Sequence, residues 1–236
     1  MEFTHFGGPT VLFTYGGLTL LTDPTFDGPG EYPLGQRVLV KTAPPLAPAP
    51  ERVDVVLLSH DQHPDNLDRS GRDYLASVPL VLTTPLGAGR LGGAARGLEP
   101  WVQASVGGVT ITGVPAQHGP DGTEHLTGPV TGFVLRAPGE PTLYVSGDNA
   151  SLDVVRAVAA RFPDIEAAVL HGGRARTALL GEANLTLDAA GLVEAVRILG
   201  AREVTVAHVD SWGHFTEDRA AVEAAFAAAG LEKVLV

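Results

Sequence analysis

The chain has 236 residues, of which 44% are hydrophobic, so it is long enough to bury a sizeable core. It contains no cysteine, which excludes disulfides and thiolate ligands and leaves nitrogen and oxygen atoms as the only donors for a metal ion. The net charge of -11 argues against a nucleic-acid partner, because proteins that bind the phosphate backbone usually carry a basic face.

The sequence also predicts where the protein acts. The sequence contains no run of about 18 uncharged apolar residues, so it predicts no membrane span. The amino-terminal sequence "MEFTHFGGPT" lacks the basic and apolar regions of a signal peptide. We therefore expect residues 1–236 to form a single cytoplasmic domain that acts on a small molecule, with no membrane partner. The oligomeric state is not predicted.

Short strands dominate the first part of the chain. Gly16 and Gly17 separate two apolar runs and predict a β-hairpin. The proline-rich segment Pro24–Pro50 predicts a long loop that forms a lid or a wall of a site. The apolar run "VDVVLLS" at residues 53–59 predicts a buried strand, and a helix is expected over roughly Leu67–Ala76.

Strands and helices alternate in the second part of the chain. Strands are predicted at "PLVLTT", "VTITGVPA", "TGFVLRA" and "TLYVSGD", with a short helix ending near Gly92 and Gly93. Helices are then predicted over residues 151–162, 185–200 and 216–230, separated by strands at "AAVL" and "EVTVAH". Strand-rich segments that give way to strand–helix units favour a layered α/β sandwich.

Four of these strands end in histidine or aspartate, within "SHDQHPD", "PAQHG", "SGDNA" and "AHVDSWGHF". If the strands lie side by side, their ends bring six ligand-type side chains to one edge: His60, His63, Asp65, His118, Asp148 and His208. Imidazoles and carboxylates at one edge are suited to zinc or manganese, and they leave an open position for a water that the metal acidifies.

Each of these residues also has a structural interpretation. Asp148 is placed to cap a helix that begins near Leu152, and Asp65 or Asn66 is placed to cap the helix that follows them. The recurrence of the same chemistry at four strand ends favours a metal site over four unrelated caps.

The ordered motifs "GGPTVLFTYGGLTLLTDPTFD", "SHDQHPDNLD", "PAQHG", "SGDNA" and "HVDSWGHF" resemble the metallo-β-lactamase superfamily over nearly the whole chain. The likeness is to the group that includes ascorbate-phosphate lactonases and N-acyl phosphatidylethanolamine phospholipases D. The resemblance implies an α/β fold, an αββα four-layer sandwich with two mixed β-sheets flanked by helices. It also implies one or two Zn²⁺ ions per chain at one edge of the sheets, with Mn²⁺ as an alternative.

The first family motif, His-x-His-x-Asp-His, matches this chain unevenly. His63 and Asp65 match its second histidine and its aspartate, whereas Asn66 stands where the family has its last histidine. Asp61 falls at the first histidine, and a one-residue insertion near Gln62 would make His60 the first ligand instead. By the same resemblance, His118, Asp148 and His208 match the histidine of the second motif, the bridging aspartate and the distal histidine.

The resemblance implies two unequal metal sites. The first consists of His60, His63 and His118 with Asp148 shared, and it matches the family. The second consists of Asp65, Asp148 and His208, and it is weakened because the amide of Asn66 is a poorer ligand than an imidazole. Asp61 would complete it only if the insertion turned that carboxylate inward.

Several neighbouring residues have two interpretations each. His214 either donates a proton to the leaving group or contacts substrate, or it only precedes a helix. Other residues could line the site or serve the fold: His125, His171, Arg174, Arg176 and Asp23. The simpler interpretation of Trp212 is that it packs in the interior. His5 is expected to have a structural role, and Asp188 is expected to lie in the first turn of a helix.

The sequence therefore predicts a metal-dependent hydrolase. A metal-bound hydroxide would attack a small-molecule ester, lactone or phosphoester, with Asp65 orienting the water and His214 as the second catalytic group. The alternative is a non-catalytic metal-binding or ligand-sensing protein on the same fold, which the residue change at Asn66 leaves open.

Overall fold

Two six-stranded β-sheets form the framework of the protein in the computed structural model, which describes residues 1–35 and 37–236. In spatial order, the first sheet contains β1 (Phe3–Gly7), β2 (Thr10–Tyr15), β3 (Leu18–Thr22), β6 (Val55–Leu57), β7 (Val81–Thr83) and β8 (Ala95–Gly97). Strands β1 to β3 are antiparallel, and β3, β6, β7 and β8 are parallel. Gly16 and Gly17 form the predicted turn between β2 and β3, both with the positive φ that a two-residue hairpin needs.

The second sheet runs in reverse chain order from β14 to β9. Its strands are β9 (Gln103–Val106), β10 (Val109–Pro115), β11 (Thr131–Arg136), β12 (Thr142–Val145), β13 (Ile165–His171) and β14 (Glu203–Ala207). Strands β9 to β12 are antiparallel and β12 to β14 are parallel, so both sheets are mixed as predicted.

Five of the six α-helices among the described residues begin after side chains that accept hydrogen bonds from the first turn, and the shortest, Glu124–Thr127, has no such cap. Their bounds are α1 (Arg69–Tyr74), α2 (Pro85–Leu91), α3 (Glu124–Thr127), α4 (Leu152–Arg161), α5 (Ala189–Leu199) and α6 (Arg219–Ala228). The N-caps are Asp68, Thr84, Ser151, Asp188 and Asp218 for α1, α2, α4, α5 and α6 in that order.

These caps correct three expectations. The capping residue of α1 is Asp68, not Asp65 or Asn66, and that of α4 is Ser151, not Asp148. The side chains of Asp65, Asn66 and Asp148 therefore cap no helix and can serve the site at the strand ends. Two further differences from the predicted helices are small. Asp188 is the N-cap of α5 and not a residue of its first turn, and α6 begins after Asp218 and not at Thr216.

Three apolar layers hold the sandwich together. Residues of both sheets meet in the middle layer, including Phe13, Leu57, Ile111, Phe133 and Val169. Helices α4, α5 and α6 cover the outer face of the second sheet, and the α1–α2 region covers the first. Burial of apolar surface on both faces of each sheet gives the αββα arrangement that the resemblance implied.

The sequence predicts a long loop over Pro24–Pro50, but part of this segment is a two-stranded hairpin of β4 (Gly30–Leu34) and β5 (Arg37–Lys41). At the base of the hairpin, the buried Lys41 ammonium donates to Asp68 Oδ2 at 2.9 Å and to the Thr25 carbonyl at 3.1 Å. Trp212 is buried beside Lys41, which confirms the packing role expected for it.

Among the described residues, no helix has the length and apolar character needed to cross a bilayer.

Candidate metal centre

The ends of four strands bring the six predicted ligand residues together. His60, His63 and Asp65 follow β6, and His118 follows β10. Asp148 lies three residues after the end of β12, and His208 follows β14 directly. Five of the six are buried and His63 is partly exposed, so the strand ends form a largely enclosed polar cluster. The cluster divides into two triads, and within each triad the donor atoms lie within 4.8 Å of one another.

The first triad consists of three imidazoles, His60, His63 and His118. His63 Nδ1 lies 3.0 Å from His60 Nε2 and 3.3 Å from His118 Nε2. In a tetrahedral zinc site with bonds of about 2.0–2.1 Å, two nitrogen ligands are separated by roughly 3.3–3.4 Å. The spacing of these nitrogens therefore fits a single metal ion.

Two imidazoles of this triad, His60 and His63, are neutral near pH 7, as metal ligands must be. Burial lowers the pKa of His60 well below its ordinary value, and the neighbouring His63 adds to the effect. Burial and the neighbouring His118 lower the pKa of His63 to about 4. His118 Nδ1 donates to the Leu185 carbonyl at 2.9 Å, which leaves its Nε2 lone pair directed into the triad.

The second triad consists of Asp65, Asp148 and His208. His208 Nε2 lies 3.4 Å from an oxygen of each carboxylate, while its Nδ1 donates to the Gly172 carbonyl at 3.2 Å. Asp65 Oδ1, Asp148 Oδ2 and His208 Nε2 are buried without a hydrogen-bond partner among the described residues. Buried polar atoms are nearly always satisfied, and a bound cation would satisfy all three atoms at once.

The charges of the second triad also favour a cation. Burial opposes ionisation of Asp65, but His214 and His208 outweigh it and hold the pKa well below its ordinary value. Burial opposes ionisation of Asp148 too, and His208 and His171 hold its pKa well below that value. For His208, burial favours the neutral form, yet Asp148 and Asp65 raise the pKa to about 9. The two carboxylates thus attract positive charge, either a proton or a metal ion.

Asn66 contacts a candidate ligand instead of replacing one. Its Nδ2 donates to Asp148 Oδ1 at 3.1 Å and to Ser59 Oγ at 3.3 Å. His171 Nδ1 donates to the same Asp148 oxygen at 2.9 Å. With Oδ1 engaged by two donors, Asp148 Oδ2 is the oxygen that faces His208 and His118. Asn66 and His171 therefore fix the orientation of the Asp148 carboxylate.

Asp61 does not complete the second triad. Arg90 binds its carboxylate at both oxygens, with Nε at 2.9 Å from Oδ2 and Nη2 at 2.5 Å from Oδ1. A bidentate ion pair of this kind uses the lone pairs that a metal would need. The structure thus places His60, one residue earlier, in the first triad and turns Asp61 toward α2.

Asp23 supports the centre and also adopts strained backbone geometry. Its Oδ1 accepts the Ser59 backbone N–H at 2.7 Å, and its Oδ2 lies 3.7 Å from His171 Nε2. Burial and the nearby Asp148 raise the pKa of Asp23 well above its ordinary value. Asp23 and His208 both have positive φ, which costs about 1–3 kcal/mol for a residue with a side chain and is concentrated at functional sites.

A cleft opens beside the two triads. Its lining includes four residues of the centre or next to it, His63, Asp65, His118 and His214. His214 is partly exposed, and its Nε2 donates to Asp65 Oδ2 at 3.0 Å. The rest of the lining consists of Leu34, Leu39, Leu185, Thr177, Arg37 and Arg176. The segment Pro24–Pro50, which the sequence predicts as a lid or a wall of a site, lines the cleft through Leu34, Arg37 and Leu39 of the β4–β5 hairpin. The sequence does not single out these three residues.

The remaining candidates lie elsewhere. His125 is exposed on α3, where its Nδ1 contacts the Gly122 carbonyl at 3.1 Å, and it does not line the cleft. Arg174 pairs with Glu217 at 3.2 Å, outside the cleft lining. His5 contacts Thr205 Oγ1 at 2.6 Å between β1 and β14, in the structural position expected for it.

Comparison with known proteins supports the resemblance found in the sequence. The model of the family described as "Beta-lactamase superfamily domain" matches residues 19–209. A metal-dependent hydrolase of the UPF0173 group from Methanosphaerula palustris is 29% identical over 191 residues, covering 78% of this chain and 80% of that protein. A protein of the same name from Xanthobacter autotrophicus is 28% identical over 162 residues, covering 63% of this chain and 62% of that protein.

Solved structures share the fold over the whole chain. An isothiocyanate hydrolase from Delia radicum gut bacteria superposes with a TM-score of 0.85 at 22% identity, covering 100% of this chain and 95% of that one. A possible metal-dependent hydrolase from Veillonella parvula superposes with a TM-score of 0.82 at 19% identity, with the same coverage. At these identities the likeness establishes the fold alone.

Proposed function

The chain belongs to the β-lactamase superfamily domain family and is a metal-dependent hydrolase of that fold, and we propose that each triad holds one metal ion. The observation that carries the proposal is the convergence of unpartnered buried donors. Asp65 Oδ1, Asp148 Oδ2 and His208 Nε2 have no hydrogen-bond partner among the described residues, next to three imidazole nitrogens at ligand spacing. A protein that bound no cation here would gain nothing from this costly arrangement of buried charge.

The donor types differ between the two triads. Three neutral imidazoles suit zinc, and the oxygen-rich set of Asp65, Asp148 and His208 accepts zinc or manganese. Metal ions held there would acidify a coordinated water and polarise the bond to be cleaved. We propose zinc in the first triad and zinc or manganese in the second.

Asp65 and His214 act as a proton-handling pair in this proposal. Asp65 lies beside the metal positions, and its Oδ2 accepts a hydrogen bond from His214 Nε2 at 3.0 Å. Asp65 orients the attacking water by accepting a hydrogen bond from it. The proton of that water would be lost to solvent, since a bound metal lowers the pKa of water. The partly exposed His214 lines the cleft, where it is placed to donate a proton to the leaving group.

The substrate we propose is a small carboxylic ester or lactone. The net charge of -11 disfavours a nucleic-acid phosphodiester, and the leucines of the cleft suit an apolar organic body. A phosphoester is the second candidate, since carboxylate and imidazole pairs serve both reactions.

The test is hydrolysis by protein purified without chelator or metal-binding tag. Rates would be measured with zinc and with manganese on p-nitrophenyl butyrate, an aliphatic lactone and bis(p-nitrophenyl) phosphate. Allyl isothiocyanate joins the panel because one neighbour in fold is an isothiocyanate hydrolase. We expect His118→Ala to lose metal and turnover together, and His125→Ala, an exposed histidine of the same loop region, to keep both. Turnover that survives in His118→Ala would contradict the proposal.

A further inference from the structure

We propose that the cleft selects substrates with an anionic group, and that Arg37 and Arg176 are the residues that determine this preference. The inference deepens the proposed function, because it names the chemical class of the substrate at the same site. Both arginines line the cleft that also contains His63, Asp65 and His118. An anionic group bound by the arginines would place the scissile bond of a short substrate at the triads.

Arg37 is a cation without a counter-ion. Its Nη1 donates to the hydroxyl of Thr177 at 2.7 Å, and among the described residues no carboxylate lies within 4.0 Å of its guanidinium. Arg37 and His63 line the same cleft, so the guanidinium lies beside the first triad.

Arg176 is held in place but remains available. Its Nε donates to Asn184 Oδ1 at 3.2 Å, and its Nη1 pairs with Glu182 at 2.5 Å. The Glu182 side chain is 92% exposed, and an ion pair so open to solvent contributes little stability. A substrate carboxylate or phosphate can therefore take the place of Glu182. The planar guanidinium suits either anion, because it presents two parallel N–H donors.

The apolar part of the lining sets the body of the substrate. Leu34 and Leu39 come from the β4–β5 hairpin, and Leu185 follows the loop that carries Arg176. The Leu185 carbonyl accepts the hydrogen bond of His118, so this leucine adjoins the first triad. The lining thus combines a reactive end, an apolar surface and two cations. The chemistry of this lining suits a hemi-ester or lactone acid with a short body.

Two esters that differ in charge test the preference. 4-Acetoxybenzoate and 4-acetoxybenzamide share the acetyl group and the aryl ring, but only the first is an anion. We expect Arg37→Gln and Arg176→Gln each to lower kcat/KM for the benzoate roughly 10–100-fold, the range for a lost hydrogen bond to a charged group, and to leave the benzamide nearly unchanged. Arg174→Gln is the matched control, since Arg174 lies on the same loop but pairs with Glu217.

Comparison between variants cancels the intrinsic reactivity of the two esters. Equal losses for both esters, or an equal loss in Arg174→Gln, would overturn the proposal while leaving the hydrolase assignment intact.

Binding provides a readout that is independent of turnover. Calorimetric titration with benzoate and with benzamide would be performed on the metal-loaded wild type and on the same variants. We expect benzoate to bind more tightly than benzamide, more weakly at high salt, and at least about tenfold more weakly in each of the two glutamine variants of the cleft.

If neither ester is hydrolysed, the ester assignment fails, but the role of the arginines is still decided by these titrations. Unchanged benzoate affinity in Arg37→Gln/Arg176→Gln, at unchanged metal content, would overturn the proposal.

Discussion

Replacement of Asn66 by alanine tests whether Asn66 orients the ligand Asp148 or binds the metal itself. In the structure the Asn66 amide holds Asp148 Oδ1 at 3.1 Å, together with His171 at 2.9 Å. Asn66→Ala removes one of these two donors and leaves all six proposed ligands in place. We therefore expect both metal ions to bind, with the metal held by Asp148, Asp65 and His208 bound less tightly.

The size of the effect follows from the bond that is lost. A hydrogen bond to a charged group contributes about 1.5–3 kcal/mol, and 1.4 kcal/mol corresponds to a factor of ten in affinity. The dissociation constant of the second metal should increase roughly 10–100-fold, which agrees with the usual effect of residues that orient metal ligands. His171 still holds Asp148, so we expect a value toward the lower end of this range.

The assay is competition for zinc with a chromogenic chelator, which resolves two dissociation constants in the wild type. Gln62→Ala is the matched control, because Gln62 lies in the same loop but its amide packs against Gly128. The first dissociation constant should change little in either variant. Two unchanged constants in Asn66→Ala would refute the orienting role, and loss of the second metal altogether would identify Asn66 as a ligand.

The remaining predictions concern the proton path, the hairpin anchor, the excluded ligand and metal removal. His214→Gln should lower kcat by roughly 10²–10⁴-fold at unchanged metal content, because it removes the proton donor to the leaving group, whereas a smaller loss or a loss of metal would contradict that role. Asp68→Ala should destabilise the fold in urea unfolding by about 3–5 kcal/mol, since it strands the buried Lys41 ammonium and three backbone N–H groups. Lys41→Met should cost less, because Asp68 keeps those three donors, and the reverse order would contradict this explanation. Asp61→Asn should retain the wild-type metal content by elemental analysis, and a reduced content would restore Asp61 as a ligand. Chelation should lower the unfolding temperature, since a metal at 1,000 times its dissociation constant stabilises by about 4.1 kcal/mol, and an unchanged temperature would argue against metal binding to the folded state.

The local patterns of the sequence predict much of the fold. Continuous apolar runs indicate the buried strands, and Gly16 and Gly17 indicate the turn of the first hairpin. The sequence does not predict the hairpin of β4 and β5, because proline normally argues against a strand. Pro33 is tolerated there since, in the described part of the chain, β4 pairs with β5 alone and forms the edge of a two-stranded ribbon.

The candidate site is predictable in its residues but not in its contacts. Strands β10, β12 and β14 run in the same direction in the second sheet, so their carboxyl ends lie at one edge. For that reason His118, Asp148 and His208 could be found from their positions at strand ends. Whether His60 or Asp61 faces the centre depends on Arg90, a residue 29 positions away that binds the Asp61 carboxylate. Such a long-range contact leaves no pattern in the local sequence.

Metal content per chain tests the central claim most directly. The protein would be purified without chelator or metal-binding tag, analysed for zinc, manganese and iron, and crystallised for anomalous scattering at each metal edge. The account predicts two metal ions per chain, one at His60, His63 and His118 and the other at Asp65, Asp148 and His208. One ion at the imidazole triad alone would contradict the two-metal centre. No bound metal, with no uptake on addition of zinc, manganese or iron, would contradict the metal centre altogether.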